Sequence, residues 1–246
     1  MTNPPKLSII IPAYNEAKRI SETLDELAKF IKKQHYSGIE VIVVVARGKD
    51  KTLEIAQSKA HLFNDFHAVD AGVHVGKGRD VKTAMLKAKG KWRLFMDADL
   101  ATPLHHINTV MDHVSAGKDI IIGVRDLKSS HTGLRKFISS FGNFLIRLLL
   151  RLDIKDTQCG FKAFRAQVAE DVFSNQTIFG WGFDMEVLAI GVKRGYSIQP
   201  IPINDWRDVA GGTFKNVAVT GALSTFKDLL KIKWNLVSGR YRKQMA

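Results

Sequence analysis

The chain has 246 residues, 45% hydrophobic and 25% charged, which is enough apolar material for a sizeable core and unlike the composition of a disordered chain. Its lone cysteine, Cys159, excludes an internal disulfide framework and suits a reducing compartment such as the cytoplasm. A formal charge of +13 points to an anionic partner, whether nucleic acid, an anionic membrane surface or a phosphorylated substrate.

The first predicted element is a strand, Leu7 to Ile11, whose short apolar run reads as a strand rather than the core of a signal peptide. A helix follows with Ile20, Leu24, Leu27 and Ile31 on one face, then a strand at Ile39 to Val45 and a helix over Lys51 to Ala60. Next come a strand at Phe66 to Val69, a helix over Arg79 to Lys89 and a strand at Trp92 to Met96. Runs such as IEVIVVV, apolar on both faces, fit parallel strands covered on both sides. The alternation predicts an α/β fold, a mostly parallel central sheet with helices on both faces.

Further on, Asp119 to Val124 reads as a strand, Leu134 to Leu152 as a basic amphipathic helix, and GWGFDMEVLAI as a loop running into a helix. Tyr196 to Ile203 reads as a strand and about 223–241 as a basic C-terminal helix. With no linker, repeat or low-complexity tract, residues 1–246 are expected to form a single catalytic domain. No window approaches the roughly 20 apolar residues of a membrane span. The best, Phe144 to Leu152, is cut by Arg147 and Arg151.

Ligands of open α/β sheets bind beyond the carboxyl ends of the strands, and the polar clusters of this chain fall at those ends. Asp97 and Asp99, straight after the apolar run WRLFM, offer hard oxygen ligands suited to Mg2+ or Mn2+, and a metal held there can bridge the phosphates of a diphosphate. A bare pair of acids also occurs in turns and helix caps, so position carries the reading. Gly76 and Gly78 let backbone approach a phosphate, with Lys77 as a cation beside it and a helix N-terminus behind.

The ordered series SIIIPAYNEAKRI, GKGRDVKTAML, LFMDADLATP, GVRD, DTQCGFKAFR and GWGFDMEVL resembles the family 2 glycosyltransferases of GT-A fold, and within them the polyprenyl-phosphate (dolichyl-phosphate) glucose and mannose synthases. The resemblance runs from about Leu7 to Ile203. It implies that Pro12, Tyr14, Asn15 and Glu16 line a nucleotide pocket with Lys77 and Gly78 beside it. It implies further that Asp97 and Asp99 bind the metal, with Asp97 also close to the donor. Arg125 and Arg135 match basic positions assigned to an acceptor phosphate. Asp156, Gln158, Gly160 and Lys162 match the DTQCGFK signature, and Asp184 and Glu186 an acidic pair. Asp97, Asp99, Arg125, Arg135 and Asp184 form the expected catalytic set.

Two departures bear on the donor. Where the family reads VVDDGSxDxT, this chain reads VVVARGKDKT, so Val45 and Ala46 replace acids, one of which contacts the base; Asp50 and Thr52 remain, and Arg47 is the candidate replacement. Ala101 stands where mannose synthases carry Gln, which favours UDP-glucose over GDP-mannose.

A phosphate acceptor suits this residue set. A phosphate monoester, with a second pKa near ~6, is already largely a dianion at neutral pH and needs orientation and charge neutralisation more than a base. Arg forks fit phosphate geometry. The line Arg135, Arg147 and Arg151 beside Leu134, Phe137, Phe141, Leu145 and Leu148, and the basic C-terminal segment with Trp234 and Tyr241, fit a peripheral association with the cytoplasmic face of a membrane as well as ordinary packing on the sheet. A membrane anchor protein is a possible further partner. Transfer to a saccharide or other hydroxyl, and nucleotide-sugar binding without transfer, are the alternatives. Nucleic acid is excluded as partner because no binding motif accompanies the charge.

Overall fold

The computed structural model describes residues 5–114, 117–125, 146–150, 152–207 and 218–242. Its strands are β1 (Leu7–Ala13), β2 (Ile39–Arg47), β3 (Phe66–Val73), β4 (Trp92–Met96), β5 (Ile120–Arg125), β6 (Phe161–Arg165) and β7 (Ile198–Ile203). They form one sheet in the order β3-β2-β1-β4-β6-β5-β7. All neighbouring pairs are parallel except those of β6, which runs antiparallel to both β4 and β5. The mostly parallel α/β sheet read from the sequence is thus the observed architecture.

Alternation along the strands divides the core in two. Leu7, Ile9 and Ile11 of β1 join Val41 and Val43 of β2 and Leu94 of β4 on one face. Ile10, Ile42, Val44 and Phe95 lie on the other. Successive strand side chains point to opposite faces, so burial on both demands apolar residues at every position. Helix α1 (Ile20–Lys33) buries Ile20, Leu24 and Leu27 on the first face, with Glu22 in its first turn and Lys32 and Lys33 in its last, as the helix dipole favours. Each of these three side chains contributes roughly 1.5–3 kcal/mol of apolar burial.

The remaining helices are α2 (Thr52–Ser58), α3 (Lys77–Lys87), α4 (His106–Val114), α5 (Ala166–Asn175), α6 (Phe183–Lys193) and α7 (Ala218–Val237), and residues 146–150 are also helical. Helix α6 is buried continuously from Phe183 to Gly191, and its two buried acids, Asp184 and Glu186, are both hydrogen-bonded. The expected helix over Leu134 to Leu152 lies outside the described residues apart from 146–150 and Leu152.

Two elements differ from the sequence reading. Helix α3 begins at Lys77 rather than Arg79, because Gly76 adopts φ +149 and lets the chain turn into the helix there. FKAFR, part of the DTQCGFKAFR motif and given no element by the sequence pattern, is strand β6. Its reversed direction brings Gly160, just before it, to the same rim as the carboxyl end of β4, where the Asp97 amide donates to the Gly160 carbonyl at 3.1 Å.

Candidate active site

The rim beyond β1, β2 and β4 is built by cross-links between loops. The Asn15 side chain, on a residue with φ +56, accepts from the Lys49 amide at 2.8 Å. The Glu16 amide donates to the Thr52 hydroxyl at 2.8 Å, and the Ala17 amide to Asp50 Oδ2 at 3.0 Å. Asp50 also accepts from the Thr52 amide at 3.1 Å, which pins the start of α2. Asp50 and Thr52 therefore hold the PAYNE loop in place. Val45 and Ala46 are buried inside β2, and Arg47 beyond them pairs with Asp70 of β3 at 3.0 Å. The Tyr14 ring stacks on His74 with centroids 3.8 Å apart.

Asp97 and Asp99 stand at the end of β4. The Lys77 ammonium forms an ion pair with Asp97 Oδ1 and lies 5.4 Å from the Trp181 ring centroid. Burial by itself would lower the Lys77 pKa, but Asp97, Asp184 and Asp99 outweigh it and hold that pKa above the usual lysine value. Asp99 Oδ1 accepts from the Ala101 amide at 3.0 Å across a turn in which Leu100 has φ +53. Burial, then repulsion from Asp97, pushes Asp99 above the usual carboxylate range. Glu16 is raised in the same way, by burial and by Asp99, Asp97 and Asp50, against the pull of Arg19. Carboxylates that raise one another are short of counter-charge, and their hard oxygens fit Mg2+ or Mn2+.

Two glycines make the arrangement possible. A β-carbon on Gly160 would sit 1.9 Å from Asp97 Oδ2, and one on Gly78 would sit 2.6 Å from the Phe183 β-carbon. The first clears space for the Asp97 carboxylate. The second lets the start of α3 meet α6, where the Gln176 side-chain amide donates to the Gly78 carbonyl at 2.9 Å and to the Ile178 carbonyl at 2.7 Å.

The acidic pair of α6 divides its work. Asp184 accepts from the fully buried Lys162 ammonium at 2.5 Å, and Lys162 also donates to the Cys159 carbonyl at 2.5 Å. Burial pushes the Asp184 pKa up, opposed by Lys162 and Lys77. Glu186 accepts from the Thr177 and Ile178 amides at 2.9 and 2.7 Å and from the Tyr241 hydroxyl at 2.5 Å, tying the 177–182 loop to the segment after α7. Burial and Glu186 together drive the Tyr241 pKa upward.

On the β5 side, Arg125 clasps Asp156 through Nε to Oδ2 at 2.6 Å and Nη2 to Oδ1 at 3.1 Å, and its guanidinium lies 5.2 Å from the Trp206 ring centroid. Burial alone would raise Asp156, but the hydrogen bonds and charge of Arg125 override it and hold Asp156 below the usual carboxylate range. Arg125 is the last residue of β5 rather than a loop residue. Arg135 lies outside the described residues.

The structure thus gathers Glu16, Lys77, Asp97 and Asp99 at one rim, with Asp184 behind Lys77 and the Arg125–Asp156 pair beyond β6. Pro12, Tyr14, Asn15 and Gly78 lie on the segments that build it. Trp181 carries no expected role in the GWGFDMEVL motif; its signal in the sequence is an aromatic between two glycines ahead of a helix.

Residues 8–173 match the family described as Glycosyl transferase family 2. A dolichyl-phosphate beta-glucosyltransferase of Trichomonas vaginalis is 32% identical over 237 residues, covering 92% of this chain and 72% of that protein. The Saccharomyces cerevisiae dolichyl-phosphate beta-glucosyltransferase is 29% identical over 261 residues, covering 96% and 76%. Among solved structures, the glucosyl-3-phosphoglycerate synthase of Mycobacterium tuberculosis, determined with Mn2+, UDP-glucose and phosphoglyceric acid, superimposes with a TM-score of 0.68 over 94% of this chain and 80% of that one. At 16% identity that likeness concerns the fold. The matched span contains β1 through β6 and the acids after β4, and the chain belongs to the family 2 glycosyltransferases.

Proposed function

We propose that the chain moves glucose from UDP-glucose to a polyprenyl or dolichyl phosphate, with mannose from GDP-mannose as the next candidate and Mg2+ or Mn2+ as cofactor. The observation that carries the acceptor class is Asp184. It is buried and ion-paired with Lys162, the arrangement of a group that positions its neighbours rather than one that takes a proton from a substrate hydroxyl. A phosphate acceptor arrives already ionised and needs no such base. The T. vaginalis and S. cerevisiae relatives support glucose and a lipid phosphate.

In this reading Pro12, Tyr14, Asn15, Glu16 and Gly78 line the nucleotide pocket. Asp97 and Asp99 hold the cation, whose chemistry when bound is to neutralise charge on the diphosphate. An oxygen of the acceptor phosphate attacks the anomeric carbon as the bond from that carbon to the diphosphate breaks, with inversion. The electron pair departs with the nucleoside diphosphate. Lys77, held charged between Asp97 and Asp184, stabilises that leaving group. Arg125, oriented by Asp156, meets the acceptor phosphate, and Arg135 is assigned the same part. No helix among the described residues is long and apolar enough to cross a membrane, and the proposed setting is peripheral association with a cytoplasmic membrane face.

The test offers labelled UDP-glucose and GDP-mannose with polyprenyl phosphate and Mn2+ or Mg2+. Label from UDP-glucose is expected in the organic phase. Transfer from neither donor by folded protein overturns the acceptor assignment. Val45 and Ala46, buried where the family carries acids, favour one second reading: binding of a nucleotide sugar without transfer to any acceptor.

A further inference from the structure

Helix α7 carries a line of apolar side chains that the other described residues leave exposed. Phe226, Leu230, Trp234 and Val237 are 45%, 48%, 71% and 67% exposed, while Leu229, Ile232 and Asn235 of the same helix are buried against the body of the protein. At 3.6 residues per turn the four exposed side chains fall within an arc of about 80°. Lys233 lies just outside one edge of that arc and Lys227 just outside the other, with Lys231 further round on the same side as Lys227. Arg240 and Arg242 follow, both exposed. From 224 to 242 there are five cations and a single acid, Asp228, which points away from the line to accept from the Gly182 amide.

The opposite side of the helix packs on the loop at the mouth of the active site. A β-carbon on Gly182 would meet Asp228 Oδ2 at 2.4 Å, so α7 sits directly on the 177–182 loop. The Lys231 ammonium reaches the Thr177 carbonyl at 3.5 Å, and the Asn235 amide donates to the Thr177 hydroxyl at 3.3 Å. In that loop Trp181, itself 47% exposed, lies beside Lys77, and Phe179 is 40% exposed. Aromatic and aliphatic side chains with lysines along both edges match an anionic bilayer surface: the rings enter the headgroup boundary while the ammonium groups meet lipid phosphates. The same edges disfavour a second copy of the chain, since an isologous contact would set lysine against lysine.

We propose that α7 is the membrane seat of this protein, laid flat on an anionic bilayer through Phe226, Leu230, Trp234 and Val237, with Phe179 and Trp181 extending the contact to the rim of the site. Lipid phosphate then enters the site from the bilayer side, past Trp181. The seat rests on the lipid-phosphate acceptor proposed above.

The experiment is cosedimentation of the full chain with phosphatidylcholine vesicles, with and without phosphatidylserine, alongside Trp234→Ser, Val237→Ser and Lys227→Glu. Unchanged thermal unfolding midpoints are the check that these exposed substitutions leave the fold intact. Wild-type protein is expected on the phosphatidylserine vesicles, released by salt, with binding reduced about tenfold or more in each variant. Wild-type protein that binds neither vesicle, or variants that bind as well as wild type, overturn the seat. So does a wild-type dimer that Trp234→Ser makes monomeric. Transfer to polyprenyl phosphate in detergent micelles separates the two readings. Micellar transfer by Trp234→Ser with loss of vesicle transfer supports the seat. Vesicle binding that the variants lose, with no transfer by wild type in micelles or vesicles, supports the seat and overturns the acceptor.

Discussion

Gly160 and Asp97 share one small space: the Asp97 carboxylate occupies the volume that any side chain on Gly160 would claim, with Oδ2 only 1.9 Å from the position of its β-carbon. Gly160→Ala is expected to fold and to displace that carboxylate. A displacement of about 1 Å in a reacting constellation costs on the order of 100-fold in rate. The measurement is kcat for sugar transfer beside a thermal unfolding curve. Activity within twofold of wild type would show that Asp97 tolerates another position.

Asp97 and Asp99 predict metal dependence. Chelation is expected to abolish transfer and added Mn2+ to restore it. Asp99→Asn removes one hard ligand while leaving the turn to Ala101 an acceptor, so it should raise the Mn2+ concentration for half-maximal activity about tenfold or more. Metal titration of activity, repeated by calorimetry on the donor complex, reads the effect. Full activity in chelator would sink the metal assignment.

Lys162 and Asp184 form an ion pair inside the protein. Lys162→Met strands a buried carboxylate, and breaking such a pair costs about 3–5 kcal/mol. Adding Asp184→Leu to it should recover much of that loss, since neither charge then remains buried. Urea unfolding of wild type, the single variant and the double variant checks both statements.

Asp156 supplies a pH dependence of stability. Its unfolded-state reference pKa is 3.8, and in the folded chain Arg125 holds it lower despite burial. The folded form therefore binds its proton less readily than the unfolded form. The stabilisation is fully present above the unfolded value and is lost as pH falls through the depressed folded one. Asp156→Asn should be clearly less stable than wild type at neutral pH, with the gap narrowing in acid below the unfolded value. Denaturant midpoints at the two pH values decide it; a gap of constant size would mean that the Arg125 pair does not set the titration.

Much of the first half of the fold was legible because β1, β2 and β4 are buried on both faces and so read as mostly apolar runs, broken only by single polar residues near their starts, Ser8, Glu40 and Arg93. Strand β6 was not, since two of its five residues, Lys162 and Arg165, are charged and three apart, which matches no strand alternation. The counter-charge that makes the buried lysine tolerable, Asp184, stands 22 residues on, and no local pattern reports a contact at that separation. The acids of DAD were legible through their place after a strand. The space made for them by Gly160, and the use of Asp50 and Thr52 as a brace for the PAYNE loop, belong to tertiary structure. Glu186, quoted beside Asp184 as one acidic pair, turns to a different neighbour because residues two apart on a helix do not share a face.

The reversed strand β6 has a consequence for chain length. Between Asp156 and Lys162, three contacts in seven residues reach three different parts of the site: Asp156 to Arg125, Gly160 to Asp97 and Lys162 to Asp184. The segment works as a ruler, with one graduation for the proposed acceptor side, one for the proposed donor side and one for the buried charge beneath them. Adding or deleting a residue inside it would slide the marks by about 3.3 Å against one another. Side chains between the graduations can change while their number stays fixed, so substitutions there are far better tolerated than any insertion.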